Sequence, residues 1–301
     1  MKTFSIENEY LKVVFLDYGA ILHQLWFKDE NGIPTNLIMG LDQPQDYLTD
    51  VWARGAVVGR FAGRLENPIQ LEENTIEIEH ENGVLLHSGS SGWHKKKWTA
   101  LAQENNHSMA FEYHCPDGSS GLSGSVHARV SYRLDGCSLG IEYHAVPSAT
   151  THINLTNHAY FNLNPSNTIG SQQLRIDADH FLELKESRVP TGTMLAVENS
   201  TFDFREEKAI GSIKLDDYFV VNQNIKEIAS LYSPETGIVM KTITDQPGVV
   251  IFTPPHFEAI CFETQKFSNS PNISTFPSTL VKANEEYTHQ TRFEFSLKNE
   301  A

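Results

Sequence analysis

An imidazole set among amides and hydroxyls, and a carboxylate set among apolar side chains, are the features of this sequence best suited to moving protons. In Ile153-Asn-Leu-Thr-Asn-His-Ala-Tyr-Phe-Asn-Leu163 a strand period of two places Asn154, Thr156, His158, Tyr160 and Asn162 on one face. Ile153, Leu155, Ala159, Phe161 and Leu163 take the other, and Asn157 breaks the alternation. One face can pack a core while the other offers an imidazole that titrates near neutrality. A solvated strand face carrying an inert histidine satisfies the same pattern. In Ile260-Cys-Phe-Glu-Thr-Gln265, Glu263 is flanked by apolar residues, and burial there would raise its pKa into the range useful for acid–base catalysis. An edge-strand carboxylate open to water is the plainer alternative.

Two further segments hold candidate ligand-contacting groups. Val58-Gly-Arg-Phe-Ala-Gly-Arg-Leu65 sets Arg60 and Arg64 among small residues, and Leu85-Leu-His-Ser-Gly89 carries His87. An arginine fork suits carboxylates or vicinal hydroxyls, and glycines let a loop approach a ligand closely. A structural salt-bridge segment and a satisfied loop histidine fit these residues equally well. The sequence has no phosphate-binding glycine loop, dinucleotide fingerprint, serine nucleophile elbow or His-Glu-x-x-His metal motif. Its 13 histidines show no ligand-like clustering.

The elements that must position these groups read as strands almost throughout. Val126, Ala128, Val130, Tyr132 and Leu134 alternate with polar residues, Asp135-Gly136 supplies a turn, and Leu139, Ile141 and Tyr143 return as the second arm of a hairpin. The same alternation predicts strands around Leu11 to Leu16, Ala20 to Phe27, Thr75 to Glu79, Met109 to Tyr113, Leu174 to Ala178, Ile238 to Ile243, Val249 to Thr253 and Thr291 to Leu297. Short helical turns are expected near Gln43 to Leu48 and Asp216 to Val220. No linker or low-complexity block divides the chain. The expectation is therefore one all-β domain over residues 1–301, a large antiparallel β-sandwich whose concave face gathers alternate side chains from several strands.

Composition narrows the partners. With 301 residues, 38 acidic and 23 basic side chains and a formal charge of −15, the chain repels nucleic-acid phosphates and anionic lipid surfaces. Three cysteines without paired spacing argue against a disulfide framework. Apolar runs are too short to span a bilayer and the N-terminal residues carry no secretory pattern, so a cytoplasmic location is expected. The glycosylation sequons at Asn154 and Asn199 are read as chance in that setting.

Taken in chain order, these segments resemble the aldose 1-epimerase (galactose mutarotase) family over almost the whole length. The resemblance is carried by Gly59-Arg-Phe-Ala-Gly-Arg-Leu65, Leu86-His-Ser-Gly89, Pro190-Thr-Gly192, Thr201-Phe-Asp-Phe-Arg205, Gln246-Pro-Gly-Val249, Phe262-Glu-Thr-Gln265 and Glu285-Glu-Tyr287. Asn154-Leu-Thr-Asn-His-Ala-Tyr-Phe-Asn-Leu163 is the most specific stretch. The resemblance implies a galactose mutarotase-like supersandwich with few short helices. It also implies an isomerase that opens and recloses a hexose ring, with Glu263 as general base, His158 as general acid and His87 as a second active-site histidine near the ring oxygen. Arg64 and Asp216 would contact the sugar, with Asp217 next door as an alternative to Asp216. No metal or other cofactor is implied, His158 is expected protonated beside an ionised Glu263, and Phe257 or Tyr160 is expected to stack on the sugar. The expected partner is a small-molecule sugar, without nucleic acid or membrane, for a monomer or homodimer.

The sequence departs from the family's pattern where Gly63 stands in place of a common asparagine and Ser88 in place of the first glycine of His-Gly-Gly. Val250 occupies a position that is a sugar-contacting glutamine in some members. A hexose-6-phosphate 1-epimerase, using Arg60, Arg64 and Lys95 to Lys97 for phosphate, and a non-catalytic carbohydrate-binding protein of the same fold are the competing readings.

Overall fold

The computed structural model describes residues 1–103, 105–165, 168–222 and 227–298. Its organisation follows from period-two alternation. The strands Val126–Asp135 and Ser138–Pro147 bury every second residue and leave the rest half-buried or exposed, and they pair from Val126 opposite Pro147 to Asp135 opposite Ser138. Gly136, at φ 54°, makes the turn between them, a left-handed geometry that costs a residue without Cβ little.

This hairpin sits in a nine-stranded antiparallel sheet. Its order is Thr99–Ala100, Ser108–Cys115, Val126–Asp135, Ser138–Pro147, Tyr287–Leu297, Ile238–Thr244, Glu227–Tyr232, Gln173–Ile176 and Lys208–Ala209. A six-stranded antiparallel sheet packs on it, ordered Tyr160–Phe161, Ile260–Thr264, Gly248–Phe252, Asp216–Val220, His180–Leu184 and Pro190–Ala196. The chain passes repeatedly between the two, so neither sheet is contiguous in sequence. A four-stranded N-terminal sheet, from Thr3–Glu7 to Pro34–Asn36, and several two-stranded ribbons, among them Arg64–Glu66 with Val84–Leu86, flank them. The expected supersandwich is what is observed, and the helical segments are short 3-10 turns such as Pro44–Leu48.

One apolar cluster joins the sheets, containing residues from Ile6 to Phe295. Phe161 of the six-stranded sheet meets Phe293 of the nine-stranded sheet at 4.9 Å between ring centroids. Phe15 of the N-terminal sheet meets Tyr132 at 4.5 Å. Because one face of the six-stranded sheet is committed to this core through Val249, Ile251, Ile260 and Phe262, strand alternation sends Val250, Phe252, Cys261 and Glu263 to the opposite face.

Two local expectations fail. Asp216–Val220 is a strand, since its neighbours Gly248–Phe252 and His180–Leu184 satisfy its backbone on both sides, an outcome that local sequence does not encode. The segment from Ile153 to Leu163 is not one strand with a presented face. It is broken into Thr156–Asn157 and Tyr160–Phe161, which pair with Val57–Val58 and Ile260–Thr264 respectively, and the entire segment is buried. Its apolar alternation into the core is as expected, but several of its amides brace backbone. Asn154 Nδ2 donates to the Ala62 and Lys266 carbonyls, and Asn162 Nδ2 donates to the Glu258 carbonyl.

Candidate active site

Register in the six-stranded sheet builds the floor of a cleft on the face away from the core. Tyr160 lies opposite Cys261, Cys261 opposite Phe252 and Phe252 opposite Asp216. The adjacent row sets Glu263 opposite Val250 and Val250 opposite Tyr218. Loops carrying Trp52, Gly63, Arg64, His87 and His94 wall a space of about 340 Å³ above this floor.

His158 and Glu263 meet at the bottom. His158 Nε2 lies 3.4 Å from Glu263 Oε1, with side-chain exposures of 6% and 4%. Such burial disfavours charge on either group. Loss of solvent pushes Glu263 up to about 8, with Asp216 adding to the rise and Arg64 opposing it, and it pushes His158 down to about 4. Burial thus works against the protonation expected for the pair, favouring a protonated Glu263 and a neutral imidazole. The carboxylate–imidazolium form differs by transfer of one proton.

The imidazole is held on three sides. His158 Nδ1 lies 3.5 Å from Cys261 Sγ, the ring stacks on Tyr160 at 4.9 Å, and His87 meets it edge-on at 5.5 Å. Tyr160 is itself tied down by its hydroxyl, which donates to the Trp52 carbonyl at 2.9 Å.

His87 is fixed by backbone. Its Nδ1 accepts the Gly63 amide at 3.1 Å, so the neutral ring carries its proton on Nε2. Burial and the neighbouring cationic groups hold its pKa well below the usual histidine value. His87, Ser88 and Gly89 have consecutive positive φ values of 49°, 61° and 57°, a tight left-handed turn that delivers the ring to the cleft. Ser88 faces inward, away from any ligand: its Oγ accepts the Phe61 amide at 2.9 Å. Gly63, at φ 83°, leaves no room for a Cβ as Ser268 stands, because one would lie 2.1 Å from Ser268 Oγ and force that side chain to move.

Arg64 and Asp216 converge from opposite walls, with Arg64 Nη2 3.3 Å from Asp216 Oδ2. Arg188 also grips Asp216, donating from Nε to Oδ2 at 3.2 Å and from Nη2 to its carbonyl at 2.9 Å. Strand alternation decides between the two aspartates: Asp216 lines the cleft, whereas Asp217 is buried opposite Ile251 and accepts the Asp216 amide at 3.0 Å. Arg60 does not reach the cleft. It is buried, donating to the carbonyls of Pro116, Leu122 and Ser123, and so is removed from any phosphate site.

Four cleft residues escaped sequence reasoning. Arg188 had no motif to mark it. His94, pushed down to about 3 by burial and by Lys95, sat beside a lysine run that drew attention instead. Phe252 lines the floor and Trp52 the wall beside it, and the period-two relation of Phe252 to Val250 was the available signal. The two expected stacking rings are otherwise engaged: Tyr160 on His158, and Phe257 beneath the Arg54 guanidinium at 3.7 Å.

Donor atoms of His87, His158 and Glu263 lie within 4.8 Å of one another, near enough for a divalent cation, although Gly63 already occupies one His87 nitrogen. The arrangement itself provides two proton-exchanging groups in a cleft that also holds an arginine–aspartate pair.

The chain matches the model of the aldose 1-epimerase family over residues 2–294. The chain belongs to this family. It is 32% identical to the galactose mutarotase of Bos taurus, across 99% of this chain and 94% of the relative. It is 26% identical to the aldose 1-epimerase of Escherichia coli, across 96% and 93% of the respective lengths. Among solved structures, an aldose epimerase homologue from C. elegans superposes with a TM-score of 0.94 at 26% identity, covering 99% of each chain. Family membership makes the cleft over the six-stranded sheet the place to seek chemistry.

Proposed function

We propose that this protein is an aldose 1-epimerase that interconverts the α and β anomers of a free hexose. The observation that carries the reading is the buried His158–Glu263 contact of 3.4 Å at the floor of the cleft, in a chain of this family. Opening a cyclic hemiacetal requires removal of the C1 hydroxyl proton and delivery of a proton to the ring oxygen. Glu263 as carboxylate takes the first and His158 as imidazolium gives the second, so neither a free alkoxide nor a protonated ring ether need form. Rotation about C1–C2 presents the other carbonyl face, and reclosure with the roles exchanged yields the other anomer.

The remaining groups support these transfers. Arg64 opposes the rise in the Glu263 pKa and favours the ionised base. His87, with its proton on Nε2, offers a donor to charge developing at the ring oxygen. Asp216, held by two arginines, accepts sugar hydroxyls, and Phe252 and Trp52 cover an apolar sugar face. The chemistry needs proton transfers alone, so chelators are expected to leave the rate unchanged.

Polarimetry of freshly dissolved α-glucose and α-galactose tests the proposal, with acceleration of the optical change expected for at least one sugar, in EDTA as in its absence. Spontaneous rates for both with a folded sample would remove the proposal. Binding of either sugar without acceleration would favour the carbohydrate-binding reading.

A further inference from the structure

On the solvent face of the nine-stranded sheet, remote from the cleft, two imidazoles and a carboxylate come together. His114 and His127 are directly opposed across the pair formed by Ser108–Cys115 and Val126–Asp135, with ring centroids 4.3 Å apart and planes within 3°. Glu112 precedes His114 by two residues and so shares its face. Its Oε2 lies 3.5 Å from His127 Nε2. One donor atom from each of the three falls within 4.8 Å of the others.

We propose that Glu112, His114 and His127 form a surface site for a divalent transition-metal ion of the zinc class. Two neutral imidazoles and one carboxylate suit Zn²⁺, Cu²⁺ or Ni²⁺ and are poor ligands for Mg²⁺ or Ca²⁺. At ligand distances of about 2.0–2.2 Å a tetrahedral ion needs its donors about 3.3 Å apart. The three groups must therefore close inward, and one imidazole must leave the parallel stack so that its lone pair points at the ion. Both histidines are exposed, which leaves them room to turn. The one cation directly opposite Glu112, Arg129, has its Nε donated to Ser131 Oγ at 3.2 Å.

The position gives the ion a structural task. His114–His127 and Cys115–Val126 are the last pairs before the two strands part into the connection 116–125, whose carbonyls hold the Arg60 guanidinium. An ion bound there staples the strands at the base of that connection.

The test is calorimetric titration of Zn²⁺ into tag-free, chelator-stripped protein, with thermal unfolding measured in parallel. We expect Zn²⁺ to raise Tm with concentration, and His127→Ala and His114→Gln each to weaken this binding about tenfold or more and abolish the rise. Because the cleft trio could also bind Zn²⁺, the titration is repeated in His158→Asn, where the surface equivalent should persist. Metal-free mutarotation by the surface variants should match the parent, and circular dichroism checks their folding. The site is refuted if the parent binds no Zn²⁺ in the His158→Asn background. It is equally refuted if both surface variants, shown to be folded, bind Zn²⁺ with unchanged stoichiometry and affinity.

Discussion

His158 Nε2 and Glu263 Oε1 lie 3.4 Å apart, so they titrate as a pair rather than as two independent residues. With His158 pushed down to about 4 and Glu263 up to about 8, the pair carries a single proton between those values. The pH profile of kcat/KM should therefore be a bell with limbs near about 4 and 8. The basic limb belongs to loss of the last proton from Glu263, the reverse of the assignment that model-compound pKa values suggest. A basic limb below neutrality would contradict it. Glu263→Gln, which cannot accept the C1 proton, and His158→Asn, which cannot deliver one, should each lower kcat by on the order of 10²-fold or more, and the double variant by much less than the product. The same burial has a stability signature. Since the folded-state pKa of Glu263 is raised from 4.5 to about 8, its contribution is fully present below about 4.5 and is lost as pH rises through 8. Glu263→Gln should then raise Tm relative to the parent, by more at about pH 9 than at about pH 5, a cost of keeping an ionisable base in a dry site. An equal Tm difference at both pH values would show that the carboxyl is not titrating in the native state.

At the scale of elements, the cleft depends on two loops locked to each other by backbone. The Gly63 amide to His87 Nδ1 and the Phe61 amide to Ser88 Oγ tie the arginine loop to the histidine turn. Ser88→Ala, which strands a buried amide, should cost about 1–3 kcal/mol of stability, while kcat falls less than in Glu263→Gln. Gly63→Ala places a Cβ against Ser268 at positive φ and should disturb His87 directly, reducing kcat more than Ser88→Ala does. Denaturant unfolding and initial-rate assays on the two variants separate the effects, and the opposite order would show that Ser88 rather than Gly63 sets the imidazole. These contacts also explain what was readable in advance. Glu263 could be picked out because a carboxylate inside the apolar run Ile260-Cys-Phe-Glu is visible in the local sequence. The strand Asp216–Val220 owes its state to neighbours from distant parts of the chain, and Arg188 reaches Asp216 from 28 residues away. Ser88 and Gly63 were read as departures from the family's pattern, but they act through packing and backbone geometry, which a residue type alone does not reveal.

At the scale of the whole molecule, substrate charge is decided by two fields of different range. The formal charge of −15 repels a sugar phosphate during approach, an effect that weakens as salt shortens the screening length. Inside the cleft the cations are Arg64, Arg188 and Lys95. Both arginines are committed to Asp216, and Lys95 Nζ donates to the Gly89 carbonyl at 2.9 Å. Arg60, the other arginine that could have served a phosphate, is consumed by carbonyls in the core. A phosphoryl group entering here would have to break the arginine–aspartate contacts or share the pocket with Asp216, whereas a neutral hexose can hydrogen-bond to the pair as it stands. We therefore expect kcat/KM for a free hexose to exceed that for its 6-phosphate at moderate ionic strength. The gap should narrow with added salt as the long-range part is screened, and persist at high salt because the committed arginines remain. Asp216→Asn should raise KM for the free hexose, since it loses an acceptor, and improve the relative kcat/KM for the phosphate by releasing Arg64 and Arg188. Competition kinetics on the two substrates across a salt series, with parent and Asp216→Asn, make the comparison. A preference for the 6-phosphate that survives high salt in the parent would overturn the free-hexose assignment and leave the ring-opening chemistry in place.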